Sequence, residues 1–143
     1  MLNKDFILRK IKLIQEDLSR LEPLSHRSFE ELAKDFVSYA ATERLLERIV
    51  TRAIDLNRHI IAELGKGNEK VRTYEDTFSA LSELGVYSRD FSLLIAPSAG
   101  LRNILVHEYD EIDPKKVYIS VGKALEQYVR YCNFILEFLN KNS

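Results

Sequence analysis

The chain has 143 residues, which is the length of one domain, and we expect residues 1–143 to form a single folded unit. Its 45% hydrophobic and 30% charged residues exclude an intrinsically disordered protein. The formal net charge of −1 argues against a protein that holds long duplex nucleic acid through many phosphate contacts.

Apolar residues recur at helical spacing from the beginning of the chain. Steps of three and four from Ile7 to Leu21 predict a first helix, which Pro23 ends. The stretch from Phe29 to Leu64 contains neither Gly nor Pro and predicts a long second helix. It carries two adjacent apolar stripes, Leu45, Ile49, Ala53, Leu56, Ile60, Leu64 and Leu46, Val50, Ile54, Ile61. An apolar face this wide predicts a central helix that is contacted on two sides.

The rest of the chain is divided by residues that favour helix ends: Gly65, Thr73 with Asp76, Gly85, Ser88, Pro97, and Asp113 before Pro114. They predict short helices ending at Gly85 and near Ala96, a bend or new start at Pro97, and a last helix from Pro114. That helix has its own apolar stripe, Val117, Val121, Leu125, Tyr128, Cys132, Ile135 and Leu139. Strand alternation is absent from the sequence, so the predicted fold is an all-α bundle of four to six helices.

No apolar run reaches the roughly 20 residues that a membrane-spanning helix needs. The first residues, "MLNKDFILRK", lack the apolar core of an export signal, and Cys132 is a single thiol. We therefore expect a cytoplasmic protein without a membrane association. The three histidines and one cysteine are scattered and show no metal-ligand spacing, so we expect no metal site.

Residues 100–109, "GLRNILVHEY", place four polar side chains within eight positions: Arg102, Asn103, His107 and Tyr109. At about 100° per residue, Leu101, Ile104 and Leu105 share one helix face, which we expect to be buried. Asn103 and His107 lie one turn apart, close enough for their side chains to meet. All four polar groups are then expected to project from the exposed side of a helix end. This arrangement suits either an ordinary wetted surface or a substrate site.

An Arg five residues before a His is common by chance, but the fuller string G-L-R-N-x-x-V-H-x-Y is much more specific. It resembles the HEPN superfamily, and in particular the HepT-type toxins, whose signature is R-x-x-x-x-H-x-Y. The stretches "ATERLLERIVTRAIDLNRHIIAELG", "TYEDTFSALSELGV" and "HEYDEIDPKKVY" are also similar to that family. The segment "APSAG" at residues 96–100 departs from it, since family members more often run an uninterrupted helix into the motif.

The resemblance implies a HEPN-like homodimer with two motif copies face to face, acting as a toxin that cleaves RNA without a metal or other cofactor. It implies that Arg102 and His107 are catalytic and that Asn103 supports them. It further implies an MntA-like nucleotidyltransferase antitoxin that neutralises the toxin by adding AMP to Tyr109. The chemistry suits these residues, because RNA carries its own 2′-hydroxyl nucleophile. His107 can move protons near neutral pH, and Arg102 can bind phosphate oxygens with paired donors.

A second function hypothesis remains open beside the toxin. The chain could be a non-enzymatic helical module that serves as the substrate-binding or partner subunit of a small nucleotidyltransferase, which its near-neutral charge favours. The intact motif favours the toxin.

For the charged face of the long helix we expect a solvated or intersubunit ion-pair surface, formed by Glu43, Arg44, Glu47, Arg48, Arg52 and Asp55. His26 is expected in a loop, and His59 is expected to be packed or exposed rather than catalytic.

Overall fold

A computed structural model describes residues 2–65, 70–107 and 112–142. Within these ranges the chain is helical and has no strand. The helices are α1 (Lys4–Leu21), α2 (Phe29–Lys34), α3 (Phe36–Leu64), α4 (Tyr74–Glu83), α5 (Arg89–Ile95), α6 (Ser98–His107) and α7 (Pro114–Lys141), with a 3₁₀ turn at Glu22–His26 after α1. The prediction of an all-α helical bundle is confirmed. None of the helices in the described part is long and apolar enough to cross a membrane.

Helix α3 is the centre of the bundle, as its two apolar stripes predicted. Nine of the ten stripe residues are buried, and Leu64 is partly buried. The helix packs against α1 and α7 and also against α4 and α6, which explains why its apolar face is so wide. The stripe of α7 is buried too, except for the partly buried Leu125.

The predicted helix ends are also confirmed. Thr73 and Asp76 form a reciprocal capping box at the start of α4, and Ser88 and Asp113 cap α5 and α7 through their side chains. Gly65 ends α3 in the left-handed conformation, with φ of 65°. That backbone conformation favours glycine because it has no Cβ to clash with the carbonyl.

The predicted continuous helix from Phe29 to Leu64 is interrupted once, at Asp35. This residue adopts an extended conformation, with φ −94° and ψ 94°, and separates α2 from α3. Its carboxylate accepts hydrogen bonds from the Ser38 backbone N–H and hydroxyl, at 3.1 and 2.8 Å. Aspartate competes with the helical backbone in this way, so an apolar pattern alone does not detect the break.

A buried polar network holds α3, α4 and α7 in register. The Tyr131 hydroxyl donates to Asn57 Oδ1, and Asn57 Nδ2 donates to Thr77 Oγ1 at 3.1 Å. All three side chains are buried, and the network satisfies polar groups that would otherwise be costly in an apolar core. The register of α4 and α7 against α3 is therefore specified by hydrogen bonds as well as by packing.

Candidate functional site

The candidate site begins at α6, a ten-residue helix at the edge of the bundle. Pro97 separates α6 from α5, so the interruption expected from "APSAG" is present as a new helix start. The Ser98 hydroxyl is 2.7 Å from the Ile95 carbonyl and 2.6 Å from the Tyr128 hydroxyl of α7. Together with the buried Ala99, these contacts anchor the first turn of α6, and the motif follows from that anchored end.

The apolar face predicted for α6 is less buried than expected. Leu101, Ile104 and Leu105 are all only partly buried, and Ala99 is the residue of α6 that is fully buried. Leu101 and Leu105 do pack against the core. These side chains are only partly buried because α6 packs mainly against α3 and α4 and has few contacts with the other helices.

Arg102 is half-buried against α3 and α4, which differs from the predicted projection into solvent. Its Nε donates to Thr51 Oγ1 at 3.2 Å, and its guanidinium carbon lies 5.2 Å from the centroid of the Tyr74 ring. The hydroxyl acceptor and the aromatic face together hold the guanidinium in one orientation. Thr51 and Tyr74 are neutral, so neither cancels the positive charge of Arg102.

Asn103 and His107 are exposed and lie one turn apart, as predicted. Their side chains do not hydrogen-bond each other. Asn103 Oδ1 instead lies 3.4 Å from Arg102 Nη1, a long contact that makes it a neighbour of the arginine rather than of the imidazole. His107 is the last residue of α6 and makes no hydrogen bond to any other described residue. Tyr109, expected to accept AMP, lies outside the described residues.

The charged face of α3 stays partly or fully exposed and carries ion pairs, in line with the predicted surface, and the observed pairs lie within one chain. Arg48 Nε and Arg52 Nη1 lie 3.2 and 2.8 Å from Asp17 Oδ2 on α1 of the same chain. Arg20 Nη1 contacts the other carboxylate oxygen at 2.9 Å. The Asp17 side chain is 0% exposed, and a carboxylate at that depth needs such partners.

Asp17 is not among the site residues predicted from the sequence, although the sequence carries a signal for it. Asp17 occupies the position three after Ile14 and four before Leu21, on the apolar stripe of α1. A carboxylate at a core position of an otherwise apolar stripe indicates a buried ion pair. Thr51 and Tyr74 carried no such signal, because their contact with Arg102 depends on how three helices meet.

The remaining histidines are not part of the site. His26 Nε2 lies 2.6 Å from Glu22 Oε1 within the exposed 3₁₀ turn, in agreement with the loop prediction. The His59 ring packs on Phe6 with centroids 4.3 Å apart, so the prediction of a packed or exposed residue holds. Across the described ranges, no group of three or more histidine, cysteine, aspartate or glutamate side chains is arranged to hold a metal ion. The expectation of a metal-free site stays a prediction.

The all-helical bundle, with the string G-L-R-N-x-x-V-H carried on α6, has the arrangement that the HEPN resemblance implied. The fold agrees with that of a tri-AMPylated Shewanella oneidensis HEPN toxin in complex with MNT antitoxin, with a TM-score of 0.82 and 24% identity over 94% of this chain and 99% of that one. The chain belongs to the ribonuclease HepT-like family, whose model matches residues 14–135. The family predicted from the motif is therefore confirmed.

Curated relatives and a further structure agree with this assignment. The chain is 39% identical to the tRNA nuclease HepT of Aphanizomenon flos-aquae, over 91% of this chain and 87% of that protein. It is 25% identical to the mRNA nuclease HepT of Shewanella oneidensis, over 92% and 96% of the two chains. A cytosolic protein of unknown function from Bacillus subtilis, YutE, shares the fold with a TM-score of 0.84, at 13% identity over 99% and 93% of the chains.

Proposed function

We propose that this protein is the toxin of a toxin–antitoxin pair and acts as a metal-independent endoribonuclease in the cytoplasm, as a single helical domain. The observation that carries the proposal is the placement of Arg102. Its guanidinium is oriented by Thr51 and Tyr74 in the middle of α6, five residues before the exposed His107 that ends the helix. The names of the two HepT relatives, a tRNA nuclease and an mRNA nuclease, support RNA as the substrate class.

The proposed reaction uses the nucleophile that RNA carries. The 2′-oxygen attacks the adjacent phosphorus and the bond to the 5′-oxygen of the next nucleotide breaks, which leaves a 2′,3′-cyclic phosphate. His107 takes the proton from the 2′-hydroxyl or supplies one to the departing 5′-oxygen. Arg102 binds the non-bridging phosphate oxygens as negative charge grows in the transition state, and Asn103 limits the motion of Arg102 from its exposed side.

A homodimer completes this site. One chain supplies one motif histidine, whereas the reaction needs both a proton acceptor and a proton donor. Two copies with their α6 ends face to face would provide both groups. Exposed apolar side chains on α5 and α7, Leu93, Leu94, Ile119 and Val129, support an association of this kind.

The proposed partner is a nucleotidyltransferase antitoxin that adds AMP to Tyr109. The neighbouring Shewanella oneidensis structure is of a tri-AMPylated HEPN toxin in complex with MNT antitoxin, which supports a modification of this type. An AMP group on Tyr109 would bring a phosphate within a few residues of Arg102. Such a phosphate would compete with the RNA phosphate for the same guanidinium.

The experiment combines cleavage and growth. Purified protein should cleave RNA in excess chelator and should fail on a substrate that is 2′-deoxy at the scissile position. Cells expressing the chain alone should arrest, and the antitoxin should rescue them. For Tyr109→Phe the antitoxin should fail to rescue, because the acceptor hydroxyl is gone. Activity that disappears with chelator would refute the mechanism, and normal growth with no cleavage would favour the non-enzymatic partner subunit instead.

A further inference from the structure

A polar groove lies beside Arg102 on the charged face of α3. It has a volume of about 550 Å³ and is bounded by α1, α3 and α6. Its lining consists of Lys10, Arg44, Glu47, Arg48, Thr51, Arg52, Asp55 and Arg102. We call this the α3 groove. Arg102 belongs both to the groove and to the motif, so the groove is a direct continuation of the candidate site.

The lining of the α3 groove carries an excess of positive charge. The described residues that line it include five cationic side chains and two carboxylates, and both carboxylates already lie in ion pairs. Asp55 lies 3.6 Å from Lys10, and Glu47 lies 2.7 Å from Arg44. When the buried Asp17 beneath the groove is included, two positive charges remain in excess, in a protein whose formal net charge is −1. The groove is therefore a local cationic region on a near-neutral molecule.

Asp17 orients the two central arginines of this groove. Arg52 of α3 contacts both the Asp17 carboxylate and the Leu13 carbonyl, and these two contacts fix its side chain against α1. Arg48, one turn earlier in α3, contacts the same carboxylate oxygen. Their side chains are still 20% and 34% exposed, so donors not used by Asp17 face the groove. An arginine has five N–H donors, and a single carboxylate shared with Arg20 cannot engage all of them.

We infer that the α3 groove binds the backbone phosphates of the RNA next to the scissile phosphate held by Arg102, and that Asp17 is the residue that positions Arg48 and Arg52 for this contact. The inference rests on the proposed ribonuclease function. Pre-oriented guanidinium forks match phosphate geometry, and an open groove with few apolar atoms suits a flexible polyanion. A groove of this polarity also supplies the substrate affinity that the low net charge of the whole chain does not.

The matched pair of variants is Arg48→Gln and Arg20→Gln. Both remove one of the three arginines on Asp17, but Arg20 does not line the groove. We expect Arg48→Gln to raise KM for RNA by about two- to fivefold, with kcat unchanged and the salt dependence of binding reduced by about 0.7 for the lost contact with a single strand. Arg20→Gln should leave KM and the salt dependence as in the wild type. The two variants should have the same melting temperature in thermal melts and the same oligomeric state in sedimentation.

A second variant changes only residues that form ion pairs elsewhere than at Asp17. The double change Lys10→Gln with Arg44→Gln removes two groove cations whose partners are Asp55 and Glu47. It should raise KM by roughly the product of two single effects. Equal KM values for wild type, Arg48→Gln and this variant, in a protein that still cleaves RNA, would overturn the inference while leaving the proposed function intact. Weakened antitoxin binding or dimerisation at unchanged KM would overturn it as well, by assigning the groove to a protein contact.

Discussion

Two arginine sites of this protein differ in whether a carboxylate of the chain balances their positive charge. At the junction of α1 and α3, Arg20, Arg48 and Arg52 converge on the buried carboxylate of Asp17. In the middle of α6, the described partners of Arg102 are a hydroxyl, an aromatic ring and an amide oxygen, all of them neutral. The first site is compensated by a charge inside the fold. The second has only neutral partners among the described residues, so its charge can bind an anion such as the RNA phosphate of the proposed reaction.

The comparison predicts that changes around Arg102 lower kcat at unchanged stability, whereas a change at Asp17 lowers stability at unchanged kcat. The largest effect is expected for His107→Ala, which should lower cleavage by roughly 10²- to 10⁴-fold through loss of a general acid or base. The melting temperature should not change, because His107 is exposed and makes no hydrogen bond in the described part of the chain. His26→Ala, which removes another exposed histidine, is the control and should cleave normally. If His107→Ala unfolded the protein or left cleavage unchanged, the motif would be structural.

Arg102→Ala should lower kcat by roughly 10²- to 10³-fold, the range for losing one pre-oriented donor group to the transition state. The loss should appear in kcat more than in KM if the contact strengthens as charge develops on the phosphate. Single-turnover kinetics at saturating RNA would measure this. An increase in KM alone would show that Arg102 binds substrate without assisting the reaction.

Asp17→Asn should lower stability and leave kcat unchanged, and because Asp17 orients Arg48 and Arg52 in the α3 groove it should also raise KM for RNA. It removes the charge on which three arginines converge and should lower the free energy of unfolding by about 1–3 kcal/mol, moderated because the arginines are partly hydrated. Denaturant titration measures this directly. Arg20→Gln removes the most exposed of the three arginines and leaves Arg48 and Arg52 on the Asp17 carboxylate, so it should cost less than Asp17→Asn. A fully stable Asp17→Asn protein would mean that the arginines repel one another less than their geometry indicates.

Thr51→Val tests the Arg102 site through a residue that contacts Arg102. It preserves side-chain volume but removes the oxygen that accepts a hydrogen bond from Arg102 Nε. We expect kcat to fall by about two- to tenfold, the value of one net hydrogen bond, while the protein stays folded. If Arg102 is held mainly by the Tyr74 ring, kcat will be unchanged, and Tyr74→Leu will show the loss instead.

The smallest effect concerns Asp35, an exposed counterpart of Asp17 that also pairs with an arginine. Hydrogen bonds from the Ser38 backbone N–H and hydroxyl, and then from Arg27, lower the pKa of Asp35 from 3.8 to about 2. Because the folded pKa lies below the unfolded one, this carboxylate stabilises the fold above about pH 4, and the contribution is lost as the pH falls towards 2. Melts of wild type and Asp35→Asn between pH 2 and 6 should converge at the acidic end. A constant difference across this range would exclude the carboxylate charge as the cause.

Much of the architecture could be predicted from the local sequence because it depends on residues a few positions apart. The stripes of α1, α3 and α7 repeat at helical spacing, and side chains one turn apart share a face whatever lies elsewhere. The caps at Thr73, Ser88 and Asp113 act on backbone groups two or three residues away. The motif string could be found for the same reason, since Arg102 and His107 are close in sequence.

Tertiary structure decided which polar residues are internal and which face a ligand. Asp17 meets Arg52 across 35 positions of sequence, and Arg102 meets Thr51 across 51. Such contacts depend on the angle and depth at which helices pack, and no local pattern of charges encodes that geometry. The sequence therefore does not distinguish the arginines of α3 from one another, and they appear as one charged face. The fold distinguishes them, because α1 brings a buried carboxylate to Arg48 and Arg52, while α6 brings Arg102, whose partners among the described residues are neutral, to the same groove.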